Sequence, residues 1–374
     1  MVKRVNPDCE KYLHVVFWHD DALPLLLGER GKRMGGAEVQ VIEIAKALSE
    51  MPNVRVSFLV KDENDTQVAF EGIGRCTLPK LIQRGLPYFG RIINRRRIEN
   101  SFGTCQKTVV VRTVVTPETE RSCYLIQSFG LKFVQRLSSD LDLTGERLPE
   151  NSRQRYLTAL KKMDGVISQS EGQQSYLQSA LGIDSPVIGS GLPDLDPMIA
   201  GRKESILWAG RAAAIKQPWI FLELARRVPQ QQFKMLMSYQ DFELMNSLVE
   251  AAEDIPNLEI ELNVSYEDTP QYFCNAHLFI NTSLHEGLPV TFLQSFRASI
   301  PVFSLNVNPG DMLTEKEVGK CFKGDIELLV SELKSATSDC CKLNSAGEAG
   351  RRLFEQSYDI RWVASRWVDY LSSL

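Results

Sequence analysis

Two hydrophobic rhythms alternate along the chain. Short apolar runs stand at LHVVFW (13–18), VRVSFLV (54–60), TVVVRTVV (near 108), SCYLIQS (near 122) and DGVIS (164–168). Such runs, bounded by polar turns, predict strands buried on both faces. Between them apolar positions recur every three or four residues. After Gly35 and Gly36, the residues Ala37, Val41, Ile44, Ala45 and Leu48 share one helical face. Further helices are predicted at 153–162 and 171–181. The rhythm restarts at residue 205. SILWAG, QFKMLM, LEIEL, AHLFINTS and IPVFSL predict strands, separated by helices at 216–226, 241–253, 267–273 and 290–298. Three helices finish the chain. Strands alternating with helices predict parallel sheets with helices on both faces, an α/β fold.

The turn-rich segment PDLDPMIAGRKES (193–205) separates two complete α/β patterns and predicts a boundary near residue 195. A length of 374 residues agrees with two domains. Two such halves predict a cleft, with ligands at the carboxyl ends of the strands. A chain 43% apolar and 24% charged is ordinary globular protein, which excludes disordered and collagen-like readings. The eight cysteines form no CxxC pair and read as reduced thiols of a cytoplasmic protein. The four histidines lack zinc-ligand spacing. No leader pattern and no apolar stretch of membrane-spanning length is expected. The formal net charge of −4, with the second half the more acidic, argues against nucleic acid as a partner.

Three loops carry candidate chemistry. Gly35 and Gly36 stand after the first strand, at a helix start, where a phosphate can approach backbone amides. Arg211 and Lys216 follow strand SILWAG, and two cations on a strand exit suit a diphosphate. His285-Glu286-Gly287-Leu288-Pro289-Val290-Thr291 joins a strand to a helix, with proline leaving the next amides free for a ligand. Glu286 beside that terminus would repel a phosphate unless it faces another group. Each loop alone also reads as an ordinary turn or solvated surface. Together they point to a phosphorylated donor held at strand ends.

ILWAGRAAAIKQPWIFLELARRVP and FINTSLHEGLPVTFLQSFRASIPVFSL resemble the retaining glycosyltransferases of family 4, which have the GT-B fold. GGAEVQVIEIAKAL resembles that family's glycine loop, and SQSEGQQSYLQSALGIDSPVIGSGLP the end of its first domain. The likeness runs over 164–374 and more loosely over 13–60. It implies two Rossmann-like domains facing a cleft: 1–195 for the acceptor, 196–358 for the nucleotide-sugar, and a helix at 359–374 returning to the first. Arg211 and Lys216 match the residues that hold the donor diphosphate without a metal. Glu286 matches the first Glu of the family's paired motif, facing the donor sugar. Gly287, Leu288, Val290 and Thr291 match backbone contacts to sugar and phosphates, and Gly35 and Gly36 the loop over the donor.

Several positions depart from the family. The motif's second Glu is Gln294, as in a subgroup resembling EGFPNTFLQAW; Gln keeps a carbonyl acceptor but no charge. Gln217 replaces a usual Gly. Met237-Ser238-Tyr239-Gln240 replaces a glycine-rich turn assigned to the third strand of the second domain, at the base site. Gln127-Ser128-Phe129 stands where the family often has a His near the fourth strand, which suggests an unusual sugar pocket. His19, Asp20 and Asp21 follow the first strand, either facing an acceptor or simply ending the strand. Asp140 with Asp142, and Asp194 with Asp196, match a two-residue DxD pattern common by chance. Lys80, Arg84, Arg91, Arg95, Arg96 and Arg97 interleave with apolar residues across 80–97. That stretch reads as a solvated helix packed on the sheet or as a peripheral membrane contact.

The expected activity is transfer of a sugar from a nucleotide-sugar to a hydroxyl of a glycan, glycolipid or other acceptor, with retention and without metal or cofactor. Polysaccharide or glycoconjugate assembly is the expected setting. Two alternatives stand beside it: a non-catalytic GT-B binding or scaffolding protein, and a nucleotide-sugar epimerase of similar fold.

Overall fold

The computed structural model describes residues 12–19, 36–60, 73–77, 107–195, 203–336 and 340–374. Among them the chain forms two compact units. Of the described residues, 12–19, Ala37–Gly189 and Ile360–Leu374 fall in the first, and Ser190–Asp359 in the second.

The first unit is built on a parallel sheet of β1 (Leu13–Trp18), β2 (Val54–Val60), β3 (Ile73–Thr77), β4 (Lys107–Arg112), β5 (Lys132–Arg136) and β6 (Gly165–Ile167), in the order β3-β2-β1-β4-β5-β6. All six residues of β1 are buried, as a central parallel strand covered on both faces requires. The helices are α1 (Gly36–Ser49), α2 (Thr119–Ser128), α3 (Leu141–Thr144), α4 (Glu150–Leu160) and α5 (Glu171–Tyr176), the last continued by a wider turn over Leu177–Leu181. Val16, Trp18, Val110 and Phe133 pack with Cys123 and Ile126 of α2.

The second unit repeats the plan. Its strands β7 (Ser205–Arg211), β8 (Phe233–Ser238), β9 (Leu258–Leu262), β10 (Ala276–Asn281), β11 (Val302–Ser304) and β12 (Gly319–Cys321) lie in the order β12-β11-β10-β7-β8-β9. Its helices are α6 (Pro218–Arg227), α7 (Phe242–Ala252), α8 (Thr269–Asn275), α9 (Val290–Arg297), α10 (Met312–Glu315), α11 (Ile326–Ala336) and α12 (Cys340–Ser357). Strand alternation divides the core. Ile206 and Trp208 join Phe221, Phe233, Met235 and Ile280 on one face. Leu207 joins Phe279, Phe292, Phe296 and Val302 on the other. Each such large side chain contributes roughly 1.5–3 kcal/mol when fully buried. Helix α13 (Ile360–Ser373) then packs in the first unit, where the buried Trp367 ring stands 5.8 Å from Phe17.

The second crossing of the chain between units is tied to the first. Leu192 forms a parallel bridge to Asp359, and its amide donates to the Tyr358 carbonyl at 3.0 Å. Arg351 clamps Asp194 with two bonds of 2.6 and 2.8 Å and donates to the Arg297 carbonyl at 3.0 Å. Arg297 in turn donates to the Pro193 carbonyl at 2.8 Å.

Some sequence expectations are corrected. SCYLIQS is not a strand but the body of α2. Thr119, Ser122, Cys123 and Ile126 are buried at helical spacing, while Tyr124 is exposed. Its β-prone residues masked that period. Strand β5, KFVQR, was missed because Gln135 and Arg136 look like surface residues, although both are buried. The strands β3 and β12 were missed as well, each too short for a pattern. The predicted helix 153–162 begins at Glu150. The predicted helix 216–226 splits into a 3-10 turn, Ala214–Lys216, and α6, which starts only at Pro218. Among the described residues no helix is long and apolar enough to cross a membrane.

Candidate active site

In the second unit, β7 starts the sheet and the chain winds outward through β8 and β9. It then returns to lay β10 on the other side of β7. The gap between the carboxyl ends of β7 and β10 is the topological switch point, where open α/β sheets bind ligands. The two motif loops meet there. Lys216, leaving β7, places Nζ 2.5 Å from Oε2 of Glu286, leaving β10. Both side chains are about four-fifths withdrawn from water, at 19% and 17% exposure. Seventy residues of sequence separate them.

Neighbouring groups hold the pair in place. Asn281, the last residue of β10, donates from Nδ2 to Glu286 Oε1 at 2.9 Å. Its Oδ1 accepts the Ser283 amide at 3.1 Å and the Ser304 hydroxyl at 3.4 Å. On the Lys216 side, Trp208 Nε1 donates to Thr282 Oγ1 at 2.9 Å, and that hydroxyl donates to the Lys216 carbonyl at 2.6 Å. The Leu284 amide donates to the Ile215 carbonyl at 2.9 Å. The two strand exits are thus stitched along their backbones. Gly210 belongs to the same fitting: a Cβ there would meet the Trp208 ring at 3.0 Å. None of Asn281, Thr282, Ser304 or Trp208 was singled out from sequence. A signal existed at Asn281, a polar residue ending an otherwise apolar strand and only 5% exposed.

The backbone beside the pair is suited to anions. Pro289 is the N-cap of α9 in an extended conformation, with no side-chain cap bond. The first amides of a helix have no intrahelical acceptor and carry the positive end of its dipole. Here those are the amides of Val290 and Thr291. Leu288 and Val290 are partly buried against the Leu207–Phe279 core, which anchors the loop. Gln294 is 5% exposed, one turn beyond Val290 on the same helical face. Arg211 ends β7 opposite Ser238 of β8 and is exposed. Gln217 takes a left-handed conformation (φ 46, ψ 52) between the 3-10 turn and α6. That backbone is one that favours glycine.

The remaining sequence candidates fall elsewhere. His19 follows β1 and is 2% exposed. Gly36 opens α1. Gly35, Asp20, Asp21, the basic stretch 80–97 and Asp196 lie outside the described residues. Gln127 and Ser128 are not at a strand end but close α2. Gln127 donates to the Lys162 carbonyl at 2.8 Å and to Asp164 at 3.0 Å, so these residues do not stand at the exit of the fourth strand. Met237 to Gln240 leave β8, the second strand of the unit rather than the third. Asp142 is buried, which pushes its carboxyl above the usual range, and it accepts the Ser138 and Ser139 amides at 2.7 and 3.0 Å. Asp140 accepts from Gln173 at 3.0 Å, and Asp194 serves the Arg351 clamp. Among the described residues no three His, Cys, Asp or Glu side chains gather as a metal site.

Two Rossmann-like α/β units in this strand order make a GT-B fold. Residues 203–339, which span the strands and helices carrying Lys216 and Glu286, match the family Glycosyl transferases group 1. That match lies within the second unit. Solved structures agree on the fold. A glycosyltransferase from Rickettsia africae ESF-5 is similar with a TM-score of 0.72 at 15% identity, covering 97% of this chain and 98% of that one. A sucrose-phosphate synthase from Thermosynechococcus elongatus gives 0.70 at 14%, covering 96% and 98%. The trehalose-6-phosphate synthase OtsA gives 0.68 at 13%, covering 96% and 99%. No curated protein matches the chain in sequence.

Proposed function

We propose that the protein transfers a sugar from a nucleotide-sugar to an acceptor hydroxyl, with retention at the anomeric carbon and without a metal. The carrying observation is the Lys216–Glu286 contact of 2.5 Å at the switch point of the second unit. A carboxylate would repel a diphosphate if both sought the same place. Held by Asn281, Glu286 is directed instead to the donor sugar, whose hydroxyls donate to it. Lys216 then exchanges its carboxylate partner for the diphosphate, joined by Arg211 and by the amides of Val290 and Thr291. Those charges act where negative charge develops as the nucleoside diphosphate departs, which is where electrostatic stabilisation has most effect. Gly287 and Leu288 lend backbone contacts, and Gln294 a ribose acceptor. The family resemblance assigns Gly35 and Gly36 to the donor as well.

The acceptor side is assigned to the first unit, where His19 and Asp20 follow its central strand. Glycan or glycolipid assembly in the cytoplasm is the setting this reading favours, with 80–97 touching a membrane surface if the acceptor is lipid-linked. Donor turnover by the full chain, with and without EDTA, tests the proposal. Turnover that persists in EDTA and falls at least a hundredfold in Lys216→Ala is the expected result. Unchanged turnover in both Lys216→Ala and Glu286→Ala would overturn the mechanism. Nucleotide-sugar binding without transfer would mark the non-catalytic alternative, and turnover with no acceptor present the epimerase.

A further inference from the structure

The order of the strand exits gives the donor a direction. Glu286 leaves β10, Arg211 and Lys216 leave β7, and Tyr239 leaves β8, and these three strands are neighbours in the sheet. Neighbouring strands lie about 4.8 Å apart. A sugar on Glu286 and a diphosphate on the β7 exit therefore send the nucleoside toward β8. The β7 and β8 exits are joined there. Arg211 is in register with Ser238, the Ala212 amide donates to the Ser238 carbonyl at 2.9 Å, and the Asp241 amide donates to the Ala212 carbonyl at 3.1 Å.

At this place stands an exposed aromatic pair. Tyr239 and Phe242 have ring centroids 6.2 Å apart, tilted by 53°, and are 37% and 58% exposed. The backbone beneath them is braced. The Tyr239 amide donates to Asn263 Oδ1 at 3.0 Å, and Asp241 caps α7 by accepting the Leu244 amide at 3.1 Å. Leu262, at the end of β9 and in register with Met237 of β8, is 43% exposed. Both rings leave part of their faces open to solvent on this braced turn. Flat apolar faces beside a phosphate site suit a nucleobase, because every base has a π-face that stacks on an aromatic ring.

We infer that Tyr239, supported by Phe242, is the platform on which the nucleobase of the donor stacks, and so a residue that sets affinity for the nucleoside half of the substrate. This rests on the donor site proposed above. It also explains how the chain works without a glycine-rich turn after β8: a ring face replaces close approach of the base to bare backbone.

The test is equilibrium binding of UDP, ADP, GDP and inorganic pyrophosphate to the full chain and to Tyr239→Ala, Tyr239→Phe and Lys216→Ala. Pyrophosphate probes the cations without a base. Tyr239→Ala should weaken the nucleoside diphosphates about tenfold or more while leaving pyrophosphate unchanged. Tyr239→Phe should restore binding, since the ring and not the hydroxyl does the stacking. Lys216→Ala should weaken both kinds of ligand. Unaltered nucleoside diphosphate affinity in Tyr239→Ala, with Lys216→Ala still impaired, would overturn the platform and leave the donor site standing. Failure of the unmodified chain to bind any of the four would overturn the donor site and the platform with it.

Discussion

The two units share one strand order, yet their switch points are furnished in opposite ways. In the first unit the central strands β1 and β4 end in Trp18 and Arg112. The guanidinium lies 4.6 Å from the Trp18 ring centroid and donates to the Val114 carbonyl and the Thr116 hydroxyl at 2.9 Å each. Arg112 is 2% exposed, so the cation is withdrawn from solvent. In the second unit the equivalent strands β7 and β10 send Lys216 and Glu286 into partial contact with water, paired with each other. A cation held by a ring, a carbonyl and a hydroxyl stabilises a fold. One whose partner is a carboxylate in reach of solvent can exchange that partner for a ligand. The same architecture thus holds an internally bonded cation at one switch point and an exchangeable ion pair, the candidate donor site, at the other.

The most disruptive test of this contrast is truncation at the second switch point. Lys216→Ala and Glu286→Ala are each expected to lower donor turnover about 100- to 1000-fold, measured by coupled release of nucleoside diphosphate. Next comes Arg112→Ala, with the opposite signature. Lost stacking and stranded acceptors should cost about 2–3 kcal/mol in urea unfolding, while nucleoside diphosphate affinity stays constant.

Asn281→Ala sharpens the comparison by leaving both charges in place while freeing Glu286. A fall of about tenfold in kcat, with smaller change in KM, is expected from lost positioning. Gln217→Gly should stabilise the chain by about 1 kcal/mol. It relieves a left-handed backbone and removes a buried side-chain oxygen that has no hydrogen-bond partner among the described residues.

The smallest effect concerns pH. Hydrogen bonds from Arg351 hold the Asp194 carboxyl below its usual range, against an opposing effect of burial. A lowered pKa contributes stability that is present above the unfolded value near ~3.9 and is lost as pH falls through the folded one. Urea midpoints should therefore decline less steeply below about pH 4 in Asp194→Asn than in the unmodified chain.

Much of the fold was legible because parallel strands covered on both faces leave plain apolar runs, as in LHVVFW and AHLFIN. Legibility failed where burial and polarity part company. Strand β5 hides behind Lys132, Gln135 and Arg136, and α2 behind a run of β-prone residues whose helical period shows only in Ser122, Cys123 and Ile126. Lys216 and Glu286 could be named from their loops because strand exits feeding helices have recognisable spacing. That Glu286 salt-bridges Lys216 was not legible, and neither was the Trp208–Thr282 stitch. Both span about seventy residues and exist only once β7 and β10 lie side by side. Tyr239 drew notice as a missing glycine, and only its exposure beside Phe242 gave it a positive meaning.

The contrast between the switch points is tested most directly by titration calorimetry of nucleoside diphosphates in EDTA, comparing the unmodified chain, Lys216→Ala and Arg112→Lys. Binding by the unmodified chain and Arg112→Lys, weakened at least tenfold in Lys216→Ala, is the predicted result. Equal affinity in Lys216→Ala and the unmodified chain, or a loss confined to Arg112→Lys, would contradict it.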